Sequence, residues 1–125
     1  MATVVKITAT GRAIASNRMK GTGTEPKNIG WGTGTTAPVD GDTALEVEAA
    51  ESRVVGTSSV QTTTTADDTY RVVGTLTSAS AQTIAEAALF NDAGSLFERG
   101  TFTGIALDIG DSIQFTIEGQ AVAPS

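Results

Sequence analysis

Residues 112–118, SIQFTIE, place Ile113, Phe115 and Ile117 on one side of an extended chain and Gln114 and Thr116 on the other. Successive side chains of a strand point to opposite faces, so this spacing fits a half-buried β-strand and no helix. Elsewhere the same short apolar runs recur between turn residues. RVVGTSSVQTTTT (53–65) and YRVVGTLTSAS (70–80) flank Ala66-Asp67-Asp68, a turn sequence, and read as a hairpin with two threonine-rich arms. The glycine in each VVGT marks a bulge or a close backbone approach. TIAEAALF (83–90) fits helix or strand by itself, but the turn NDAG and the resumed alternation of SLFERGTF make it the first arm of a second hairpin. TVVKITAT (3–10) reads as a first strand, and SNRMKGTGTEPKN (16–28) as a long exposed loop. VDGDTALEVEAA (39–50) is the one helix candidate, with Asp42 or Thr43 as its cap.

About seven short strands with one short helix predict an all-β fold, a β-sandwich or jelly-roll-like barrel. Threonine, serine and glycine displace the usual charged share, only 18% here, which agrees with strands and turns. The 125 residues suffice for one core. That core draws on Val5, Ile7, Trp31, Leu45, Val54, Val72, Leu76, Leu89, Phe90, Phe97, Phe102 and the three apolar residues of 113–117. The expected organisation is an extended N-terminal arm and loop (1–28), a β domain (29–119) and a flexible tail (120–125).

Cysteine and histidine are both absent, which removes disulfides, thiolate nucleophiles, Cys/His metal sites and any His-based triad. The opening has no apolar run of signal-peptide length and no stretch approaches a membrane span, so a soluble chain without a cleaved leader is expected. Net charge is −6, against nucleic-acid binding, yet it is unevenly placed. Lys6, Arg12, Arg18, Lys20 and Lys27 stand against Glu25 in residues 1–30, a balance of +4, while the remainder carries −10. A basic leading segment on an acidic body suggests an acidic partner surface, including another copy's body.

Gly32-Thr33-Gly34-Thr35-Thr36-Ala37 fits G-x-G-x-x-A, but Pro38, Asp40 and Gly41 follow at once, so no helix opens on it, and no lysine closes it as in a P-loop. Gly30, Trp31, Gly32 and Gly34 are therefore expected to form a structural bend, with Trp31 over one end of the core. Asp67–Asp68, Asp108–Asp111 and Asp40–Asp42 lie at turns and match no calcium loop. Glu86 interrupts an apolar stretch and would pair across strands with Arg99 or Arg71. No cofactor, metal or catalytic set is expected.

Four runs carry a resemblance: GRAIASNRMKGTGTEPKNIGWGTGTTAPVDGDTALEVEAAESRVVGTSS, TYRVVGTLT, AALFNDAGSLFERGTFTGIAL and GDSIQFTI. Together, from Gly11 to Ile117, they resemble small phage virion structural proteins, which include capsid decoration (cement) and tail-associated proteins. The chain departs from that pattern at Ala88, where a glycine is usual. The resemblance implies a non-enzymatic protein bound outside the major capsid protein shell, clustered as trimers, in virions assembled in the host cytoplasm. The expected partner contacts are Arg12, Ile14, Arg18, Met19, Lys20, Lys27 and Ile29, together with the tail 120–125. A tail-tip or fibre protein, with hairpin 57–69 facing a host surface, is the alternative. A carbohydrate-binding module using Trp31 and Tyr70 is the rival outside that biology.

Overall fold

The structure, a computed structural model, describes residues 3–121. The chain runs β1 (Thr3–Ile7), α1 (Ala9–Lys20), β2 (Asn28–Gly32), β3 (Val54–Val55), β4 (Thr57–Gln61), β5 (Thr69–Thr77), β6 (Gln82–Phe90), β7 (Leu96–Leu107) and β8 (Ser112–Gln120). The strands form two antiparallel sheets, ordered β1-β7-β6-β2-β3 and β4-β5-β8. Ile29, Trp31, Ile84 and Leu89 from the first meet Val72 and Leu76 from the second, with Ile113, Phe115 and Ile117 packed against them. This is a β-sandwich.

The second expected hairpin forms, and the first forms in part: Val54–Val55 pairs with β2 in the larger sheet, and the rest of its arm with β5. β4 pairs with β5 from Thr57↔Val73 to Gln61↔Thr69, and β6 pairs with β7 across an Asn91–Ser95 turn. Gly94 supplies the left-handed φ of +82° that this turn needs. The Asp68 carboxylate accepts N–H bonds from Thr63, Thr64 and Thr65, which folds the 62–68 turn and holds that acid well below its usual range. The two VVGT glycines answer a close approach: a Cβ on Gly74 would stand 3.4 Å from the Cα of Gly56 and 2.8 Å from Ile29 Cδ1.

The N-terminal third differs from expectation. Residues 9–20 are helix, where the sequence suggested strand end and loop. Thr8 caps the helix, its Oγ1 accepting from Gly11 N–H at 3.1 Å. Gly21 at φ +91° ends it, with N–H bonds from Gly21 to Arg18 O and from Thr22 to Asn17 O. Gly11 lets the helix touch β7, since a Cβ there would lie 2.0 Å from Phe97 O. Residues 3–28 are accordingly no extended arm. β1 pairs along β7 from Thr3↔Phe102 to Ile7↔Glu98, and Tyr70 Oη donates toward Glu25 and Pro26 O at 2.9 Å.

The expected helix at 39–50 is absent. Its acids bond backbone outside any helical turn: Asp42 accepts Val39 N–H, and Glu46 accepts Thr35 and Thr36 N–H. Ala49 N–H reaches Trp31 O and Thr33 N–H reaches Val47 O, so the segment lies against the end of β2. Gln120 belongs to β8 and Ala121 N–H bonds Asp68 O, which places the start of the expected flexible tail in ordered structure; its remainder, 122–125, lies outside the described residues.

Candidate partner-binding surface

The glycine–threonine stretch does present backbone amides to an anion, and the anion is the protein's own. Glu86 projects from β6, fully buried. Its Oε2 accepts N–H bonds from Gly34 (3.0 Å) and Val47 (2.8 Å), and its Oε1 accepts from Glu46 N–H (2.9 Å) and Arg99 Nε (3.0 Å). Arg99, from β7, also donates Nη1 to Asp42 and Nη2 to Thr36 O. Glycine is required because a Cβ on Gly34 would sit 2.6 Å from Glu86 Oε2, and one on Gly32 2.2 Å from Val47 O. The expected Glu86–Arg99 pair therefore exists and does more than fix register. It fastens the whole 33–50 segment to the sheet.

Gly30, Trp31 and Gly32 lie within β2 and not at a bend. Trp31 is fully buried, edge-on to Phe115, with its indole N–H on Glu51 Oε1 at 3.1 Å. Glu51 also accepts Ala79 N–H and Gln82 Nε2; the Ala79 bond leads in holding its carboxyl down to about 2. A buried Trp31 offers no face on which a sugar could stack.

The residues expected to meet a partner separate into two groups. Ile14 and Ile29 are buried in this chain's own core, so they have no surface to give. Arg12 is paired with Asp40 at 2.6 Å, an exposed contact that raises the arginine and lowers the acid. Lys27 is half-buried and its carbonyl takes Gly56 N–H. Arg18 donates to Gly23 O. Met19, 89% exposed, and Lys20 beside it remain open at the end of α1.

A second feature was not foreseen. The three-stranded sheet does not cover the β1 side of the larger one, and a cleft of about 330 Å³ opens between β1–β7 and β8. Val5, Phe102, Phe115 and Ile117 give it apolar walls. Val5, expected in the core, is half-exposed here for that reason. Glu98 lies at its base, 2% exposed, and its Oε1 has no hydrogen-bond partner. Burial first, and then the charge of Glu118, push this acid up to about 8. In the sequence Glu98 stood beside Arg99 as one more polar residue of an alternating strand. Its ladder partners Ile7 and Leu89 face the core, so Glu98 faces it too, on the same side of β7 as Phe102.

Among the described residues no group of three or more acids is placed to hold a metal ion, and no helix is long and apolar enough to cross a membrane. Asp42, Asp68 and Asp111 each accept a nearby backbone N–H. No known protein family, curated protein or solved structure matches the chain.

Proposed function

We propose that this chain is a phage capsid decoration protein, a non-enzymatic trimer that binds the outside of the major capsid protein shell and stabilises it. The observation that carries the reading is how the motif residues are used. The runs that resemble virion structural proteins, GWGTGTTAP, DTALEVE and AALFNDAGSLFERGTF, meet around Glu86 and Arg99, where their polar groups bond one another. Such a set serves a rigid module whose exterior does the work, as a cement protein requires. The basic end of α1 and the uncovered β1–β8 flank are its contact surfaces, in place of a free arm.

The test is to add purified chain to particles that lack it and measure bound copies and thermal release of the genome. Saturable binding with a raised release temperature supports the reading; no binding to otherwise intact shells overturns it. The tail or fibre alternative rests on the 62–68 turn, whose threonines are exposed and held in shape by Asp68. Binding to tails and not to shells would favour it.

A further inference from the structure

Among the described residues, Glu98 holds the one buried side-chain polar atom without a hydrogen-bond partner. Every other acid with a strongly perturbed environment accepts hydrogen bonds: Glu51 takes three donors and Asp68 takes backbone amides. Glu98 has nothing on Oε1, and a lone buried carboxyl is costly unless something arrives to pair with it. The space above it is built to admit a side chain. Val5, Phe102 and Phe115 form walls suited to a run of methylenes.

An occupant that buries an apolar stem and ends in a cation fits this cleft. Oε1 is closed off from solvent, so a single carboxylate oxygen is left to meet an occupant; this favours a point charge over the two-pronged guanidinium, and the head is an ammonium. We propose that the cleft is a socket for a lysine side chain, and that its occupant is Lys20 of a second copy of this chain.

The chain's own inventory selects that residue. It has three lysines. Lys6 lies on the opposite face of β1 from Val5, where it acts on Asp40, and Lys27 is half-buried against β3–β4. Lys20 stands exposed beside the 89% exposed Met19 and makes no ion pair among the described residues. Arg12, Arg53, Arg71 and Arg99 are already paired with acids of this chain. A basic helix end and a cleft that holds Glu98, with Glu118 at its rim already paired with Arg71, also agree with the complementarity that the +4 and −10 halves of the chain imply. Different patches meet, so the contact is head-to-tail and closes into a ring when the rotation allows. Such a ring would be the oligomer of the decoration reading, but the socket does not depend on virion binding.

The experiment uses purified full-length chain alone, so its failure leaves the virion role untouched. Sedimentation equilibrium at neutral pH compares the parent with Lys20→Ala, Glu98→Gln and the double variant. The parent is expected to self-associate, each single variant to weaken association about thirty-fold or more, and the double variant to be no weaker than either. Circular dichroism and a melting curve check that both singles stay folded. A monomeric parent at all soluble concentrations overturns the proposal, and so does a folded Glu98→Gln or Lys20→Ala that associates like the parent.

Discussion

Replacing Glu86 with alanine removes the acceptor of three backbone N–H groups, those of Gly34, Glu46 and Val47, and the partner of Arg99 Nε, all at one buried point. Breaking a buried, hydrogen-bonded charge pair by deleting one side costs about 3–5 kcal/mol, because the other charge stays behind unpaired. Domains of this size have about 5–15 kcal/mol in total, so the loss is large but leaves a folded fraction to study. Glu86→Gln keeps the volume and one acceptor while setting an NH₂ group against N–H donors; about half the loss is expected. Urea unfolding gives the energies, and amide exchange locates them. Gly34, Glu46 and Val47 should exchange faster while β5 and β8 keep their protection. Adding Arg99→Met to Glu86→Ala should cost less than the sum of the two, since it removes the stranded charge. A Glu86→Ala loss below about 1 kcal/mol, with unchanged exchange at those three amides, would refute the view that this carboxylate fastens the 33–50 segment.

Two further variants probe other contacts. Glu98 carries a folded-state value near 8 against an ordinary 4.5, so the folded state holds the extra proton; stability is full below pH 4.5 and is lost as pH rises toward 8. At about 1.4 kcal/mol per pH unit that loss is at most about 5 kcal/mol; Glu98→Gln should flatten the profile of melting temperature against pH, and an equal slope in both proteins would count against it. Gly11→Ala, despite the better helix propensity of alanine, should destabilise by about 1–3 kcal/mol by denaturant titration, because its Cβ would strike Phe97 O.

The sandwich was legible because its strands announce themselves locally. SIQFTIE, the second VVGT arm and the NDAG turn carry period-two or turn chemistry within a few residues, and each became the expected element, whereas the first VVGT arm splits at Gly56 between the two sheets. The helix was not read because ATGRAIASNRMK buries only Gly11 and Ile14, too little to make an apolar stripe. Its end signals were present in Thr8, Gly21 and the basic last turn, and they outweigh the weak periodicity. The reverse error at 39–50 has the same root. Asp42, Glu46 and Glu48 look like a helix start, but a carboxylate 40 positions away on β6 claims the backbone of that segment first. Glu86 was visible as a partner for Arg99; its three amide contacts were not, since they depend on tertiary approach. Glu98 shares the core face of β7 with Phe102, and an unpartnered acid at such a place carries no local mark in the sequence.

The decoration reading is tested most directly by the number of copies of this chain in purified particles, measured by quantitative mass spectrometry against the major capsid protein. Near-stoichiometric amounts are expected. A handful of copies would place the chain in the tail or fibre, and complete absence from particles would contradict a virion role altogether.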